Sequence, residues 1–241
     1  AGLGRVEALR GPNATLYGNA AGGVLHFRTL DPATQPATVG VRWTGGTLGT
    51  SRGAAGGAET SHSMWALEAR ATGTAGNVGY RLGVTRTDFD GFRRDPLADD
   101  GSTYGSGKRT NANATVSLPL GNGNLRIVAN AVDLDAENPG SLSDSLLAVG
   151  DREAYRFNVI SQTGKDMQQG QLGVSWDGSL GSTSTTFAGW GLGRDLYNPI
   201  PGRIIDLGRK AGGGRALFQG DFPLGDAGSF SWGAGLEAEV Q

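Results

Sequence analysis

The sequence predicts an all-β protein, and three observations carry that prediction. Glycine supplies 43 of the 241 residues, without the strict third-position period of collagen. Apolar and polar residues alternate over stretches of about ten residues, the two-residue repeat of a half-buried strand. The links between these stretches alternate between short and long, as in a transmembrane β-barrel with tight turns on one side and long loops on the other. The fold class that follows is a partial transmembrane β-barrel, about nine antiparallel strands of a larger barrel.

The elements read in order as follows. Residues 5–10 (RVEALR) and 23–29 (GVLHFRT) form two short strands around a turn punctuated by Gly11-Pro12 and Tyr17-Gly18. Asp31-Pro32 opens a linker over 31–38. Strands then fall near 39–48, 63–73, 78–88, 109–120, 124–134, 168–178, 183–193, 212–224 and 228–241. Ala112, Ala114, Val116, Leu118 and Leu120 share one face of the fourth; Phe230, Trp232, Ala234, Leu236, Ala238 and Val240 share one face of the last. The 124–134 strand is less regular, because Val128 and Val132 fall on its polar side. The links TAGN, GNG, GSLG and GDA are short, whereas 49–62, 89–108, 135–167 and 194–211 read as long loops. Tyr80, Trp176, Phe222, Phe230 and Trp232 fall near the short links, and Trp65, Phe89 and Tyr197 near the long ones, an interfacial girdle in outline.

Composition excludes several classes. A net charge of −2 with 18% charged residues leaves no basic footprint for nucleic acid. Without cysteine there are no disulfides or thiolate metal sites. No run of 18 apolar residues exists, so no membrane-spanning helix is expected, a test that strands of alternating polarity escape. His26 and His62 have no partner at metal-ligand spacing and no nucleophile–base set is evident, so neither a catalytic site, a metal site nor a cofactor is expected.

The segment Val6-Glu-Ala-Leu-Arg-Gly-Pro-Asn-Ala-Thr-Leu-Tyr-Gly-Asn-Ala-Ala-Gly-Gly-Val24 resembles the end of the plug domain of TonB-dependent outer-membrane receptors, where a VEVLRGP…LYG…GGV pattern closes the plug before the barrel. The resemblance covers the first 30 residues. It implies residues 1–30 as the plug's C-terminal end, 31–38 as a linker and 39–241 as the N-terminal part of the barrel. It further implies a longer protein, with a signal sequence and most of the plug upstream and more strands downstream. Such a receptor lies in the outer membrane of a Gram-negative bacterium, surrounded by lipid. It binds a scarce nutrient, here a ferric siderophore, and imports it when the TonB complex acts on the plug through an upstream segment. Cobalamin, haem or an oligosaccharide are rival cargoes on the same architecture. A soluble all-β binding module and a passive porin are the rivals outside it, the porin lacking the 6–24 segment.

Two groups of residues are candidates for function. Arg5, Glu7 and Arg10 alternate along the first strand. By resemblance, plug arginines just before the Gly-Pro step pair with barrel carboxylates, which would make Arg10 a latch assisted by Arg5 and Glu7. As residues alone, the three read equally well as solvated edge-strand charges. Arg194, Arg203, Arg209 and Lys210 lie in the 194–211 segment, which resembles the corresponding loop of siderophore-receptor-like members, including those for ferric citrate-type chelates. Guanidinium groups suit oxygen-rich anions, whereas the 135–167 segment is net acidic. Glu68, Arg70, Arg215, Asp221, Glu237 and Glu239 are expected on the inner, wet side of the wall, because lipid-facing charges cost about 2–4 kcal/mol at mid-bilayer.

Overall fold

The computed structural model describes residues 3–9, 23–52, 59–225 and 228–241. A small antiparallel hairpin comes first, β1 (Leu3–Leu9) against β2 (Val24–Thr29). Nine long strands follow as one sheet: β3 (Thr38–Arg52), β4 (Glu59–Ala75), β5 (Val78–Phe89), β8 (Gly107–Leu120), β9 (Gly123–Glu137), β10 (Gly164–Leu180), β11 (Thr183–Ile200), β12 (Arg203–Pro223) and β13 (Ser229–Val240). Every strand pairs antiparallel with its neighbour in the chain order of the sheet, from β3 at one edge to β13 at the other. Between β5 and β8 sits a two-residue ribbon, β6 (Arg93–Arg94) with β7 (Thr103–Tyr104). Two one-turn helices, α1 (Asp144–Ala148) and α2 (Arg156–Ile160), occupy the link between β9 and β10. The protein is all-β, and its sheet has the meander order and open edges of part of a barrel.

Register gives the sheet two unlike faces. Val116 of β8 stands opposite Tyr80 of β5 and Ile127 of β9. Ile127 faces Val174 of β10, and Leu125 faces Trp176. Trp176 faces Phe187 of β11, which faces Ala216 of β12, and Ala216 faces Leu236 of β13. Toward the other edge, Leu82 meets Ala71 of β4, and Ala71 meets Val39 of β3. A continuous apolar band therefore crosses all nine strands, and it is open: Val39 is 73% exposed, Leu172 52% and Leu236 74%. On β8 the band runs from Ala112 to Leu118, about 20 Å of strand. Beyond it on the same face, toward the long links, come Lys108, Asp133, Asp135, Asp166, Asp195 and Lys210. The opposite face is mostly polar, with Met64, Phe89, Val128, Val132, Leu134 and Met167 on it and a larger apolar group on β11 and β12.

The two ends of the sheet are built differently. Three of the short links are two-residue turns, Gly76-Asn77, Gly121-Asn122 and Gly181-Ser182. In each the glycine has φ of 60–64° while the next residue stays at negative φ, the order of a type II′ hairpin turn. Aromatic rings gather at this end on the open face. Trp176 and Phe187 stack at 6.0 Å, Phe187 and Phe218 meet edge-on at 5.8 Å, and Phe222 and Trp232 stack at 6.4 Å. Trp176 also donates its indole N–H to the Leu120 carbonyl at 2.9 Å, tying two neighbouring turns together.

At the other end, two of the four expected long loops are shorter than their sequences suggest. Strand pairing continues through 194–211: Leu196 faces Leu207, Tyr197 faces Asp206 and Pro199 faces Ile204. Only Pro201 and Gly202 turn the chain, with Gly202 at φ 75°, the residue order of a type II turn. Cross-strand partners for Leu196, Tyr197 and Pro199 carry the ladder past the Pro and Gly signals that look like a loop. Likewise β3 and β4 run on to Arg52 and Glu59. The segments 90–106 and 138–163 are irregular, and they pack on each other.

Candidate functional site

The stretch 29–33, at the end of the β1–β2 hairpin, is bonded to the polar face of the sheet. Arg126, on β9, bonds the Asp31 carboxylate and donates to Thr29 Oγ1 at 2.9 Å. The Ala33 backbone N–H donates to Thr72 Oγ1 at 3.0 Å, and Thr74 Oγ1 donates to the Ala33 carbonyl at 2.9 Å. Three strand residues thus hold the 29–33 stretch against the wall. A cavity of about 1120 Å³ opens beside it. His26, Arg28 and Asp31 line it from one side; Thr74, Ser117, Asn124, Arg126, Asn130, Gln171, Ser175 and Asp177 line it from the sheet. All of those strand residues belong to the polar face.

The polar face carries paired charges elsewhere. Glu68 and Arg70, Arg215 and Asp221, and Glu237 and Glu239 all fall on it by register. Arg42 stands opposite Glu68. Arg215 bonds Glu237 directly across the strand pair, with Nε 2.6 Å from Oε2. Ser231 donates to Asp221 at 2.5 Å. Such cross-strand pairs each stabilise a sheet by roughly 0.2–1 kcal/mol.

The sequence candidates are placed as follows. Arg5 bonds Glu7 at 2.7 Å, and Glu7 lies 3.4 Å from the His26 ring. Among the described residues, the polar contacts of Arg5 and Glu7 therefore stay inside the hairpin. Arg10 lies outside the described residues. The bond between hairpin segment and sheet that the structure contains has the opposite polarity to the expected one: the sheet supplies the arginine and the linker the carboxylate. Nothing local joins Arg126 to Asp31 in the sequence; the only cue is a lone arginine on the polar side of an otherwise uncharged stretch. Arg194, Arg203, Arg209 and Lys210, expected together on a loop, lie instead on the β11–β12 hairpin. Register separates them, with Arg194 opposite Arg209 on the polar face and Lys210 opposite Gly193 on the other. Arg203 sits beside the turn, opposite Ile200.

The links at the far end form a compact knot. Arg93, a buried residue at 7% exposure, donates from its guanidinium to the carbonyls of Gly140, Arg152 and Glu153. Burial pulls its pKa below the ordinary arginine value, against the opposing pull of Asp151. Arg94 bonds Glu153, and its backbone pairs in parallel with Glu153. Glu137 accepts from Gly105 N–H, Ser106 N–H and Ser106 Oγ, each at 2.9 Å. Tyr104 donates its hydroxyl to the Thr163 carbonyl at 2.8 Å, and burial raises its pKa. Tyr104, Ala154 and Val159 close a small core beneath these bonds.

Among the described residues, no group of three or more His, Asp or Glu is placed to hold a metal ion, and no helix is long and apolar enough to cross a membrane. No family model matches the chain.

Proposed function

We propose that this chain is part of a TonB-dependent outer-membrane receptor that binds a ferric siderophore and imports it, with β1–β2 as the end of the plug and the nine-stranded sheet as part of the barrel wall. The observation that supports it most is the pairing of an uncovered apolar face with a polar face to which the N-terminal segment is tied. An exposed apolar patch on a soluble monomer rarely exceeds a few hundred Å², and a band across nine strands far exceeds that. Lipid is the solvent that matches it. Its width suits an outward band about 25 Å tall, and the charges beyond it suit the water interface.

Two unpaired edges call for further strands, since open edges are not found in a bilayer. The wet wall and the detachable bonds at Arg126, Thr72 and Thr74 suit a plug that must move for a ligand to pass. The open apolar face is the observation a soluble binding module has most difficulty with, because that fold needs a second layer over it.

The test is genetic and direct. Deleting the complete gene in its host should abolish growth on one ferric siderophore as sole iron source, and deleting TonB should do the same. Cells that lose cobalamin, haem or oligosaccharide uptake instead would keep the architecture and change the cargo. Uptake that continues without TonB, or a protein that purifies as a monomer without detergent, would sink the reading.

A further inference from the structure

Three arginines of the polar face stand against a carboxylate: Arg42 opposite Glu68, Arg126 on Asp31 and Arg215 on Glu237. Arg194 and Arg209 stand against each other, as direct cross-strand partners on β11 and β12. Side chains so placed begin about 5 Å apart, and like charges in that position destabilise a strand pair. Neither has a carboxylate within ion-pair distance among the described residues. Their partners are neutral amides. Arg194 donates to Gln169 Oε1 on β10 from Nε, at 2.7 Å, and from Nη2, leaving Nη1 for a ligand, and Arg209 donates from Nη2 to Gln241 Oε1 just past β13. An amide oxygen fixes the direction of a guanidinium without cancelling its charge. Four neighbouring strands therefore present two oriented, unneutralised guanidinium forks side by side.

We infer that Arg194 and Arg209 form a subsite for an oxyanion, a carboxylate or phosphate group carried by a soluble ligand. The planar guanidinium groups match such oxygens with charge-assisted hydrogen bonds. An anion between them also removes the repulsion that the empty pair carries. This rests on reading the polar face as the lumen wall, since that face is then reached by solutes and not by lipid. Arg203 and Lys210 take no part. Lys210 is on the other face, and Arg203 lies six residues along β12 from Arg209, about 20 Å away.

Isothermal titration of citrate into the complete protein in detergent micelles tests the subsite. Citrate should bind, inorganic phosphate should displace it, and added salt should weaken it. Arg194→Gln and Arg209→Gln should each weaken binding about tenfold, the scale of one charge-assisted bond pair, and the double variant should remove it. Arg203→Gln and Lys210→Gln should leave it unchanged. Circular dichroism checks that the sheet is intact, and the salt dependence of the unmodified protein gives a readout that needs no variant. Absence of citrate binding, insensitivity to phosphate, or an equal loss in Lys210→Gln overturns the subsite. Full TonB-dependent uptake in the double variant overturns it too, and leaves the receptor reading standing. Citrate binding in a protein whose uptake needs no TonB does the reverse.

Discussion

The links 138–163 and 194–211 resemble each other in sequence and fold in opposite ways. Both are charged, both carry Pro and Gly, and both leave long strands at the same end of the sheet. In 194–211 residues find facing partners across the strand pair, among them Leu196 with Leu207 and Pro199 with Ile204, so the ladder extends and two residues suffice for the turn. Before 138–163 the ladder stops at Glu137. Beyond it the chain turns into the one-turn helices α1 and α2, with no strand ladder to either side. That chain satisfies its backbone through buried side chains instead. The difference teaches that facing partners across the strand pair, not loop-like composition, decide whether a strand ends.

The comparison can be broken most severely at Arg93. Arg93→Leu leaves the carbonyls of Gly140, Arg152 and Glu153 without their donor. A loss of about 3 kcal/mol or more is expected, confined to the knot. Hydrogen exchange should rise over 138–163 and remain slow in β11 and β12; equal loss in both regions would contradict a separate knot. Glu137→Ala removes an acceptor of three bonds and should cost about 2 kcal/mol, read as faster proteolysis within 90–106.

Smaller effects sharpen the contrast. Gly202→Ala meets no neighbour within 4 Å but must take φ 75°. It should cost about 1 kcal/mol, with faster exchange near the turn and none in the knot. The smallest effect is at Asp90, where the 90–106 link leaves β5. Hydrogen bonds from the Ser63 hydroxyl and N–H hold its pKa below the usual carboxylate value, aided by His62 and opposed by slight desolvation. A lowered folded pKa means that this contribution is present above the ordinary value of 3.8 and is lost as pH falls through the folded value. NMR titration should show the Asp90 pKa rising in Ser63→Ala; no change would assign the shift elsewhere.

Strands and faces were legible because each residue's side follows from its parity. The Gly-Asn and Gly-Ser turns were legible because only glycine takes the first position of a type II′ turn without strain. Even Val128 and Val132, which break the polar pattern of β9, occupy the side their parity assigns. What was not legible depends on contacts without local periodicity. Arg93 reaches carbonyls 47 to 60 residues away, and Tyr104 meets Thr163 across 59. In 194–211, Pro201 and Gly202 have the look of a loop in sequence and mark a single corner in the fold. The basic residues there cluster in sequence, and the two sides of a strand divide them.

The bond between Arg126 and Asp31 spans 95 residues, while the turns at 76–77, 121–122 and 181–182 join immediate neighbours. Loop closure makes the distant contact the slower one to form. The wall is thus assembled hairpin by hairpin from local pairings, and the 29–33 stretch, though made before β9, gains this anchor only once β9 is in place. A segment synthesised before the wall is among the last to find its seat.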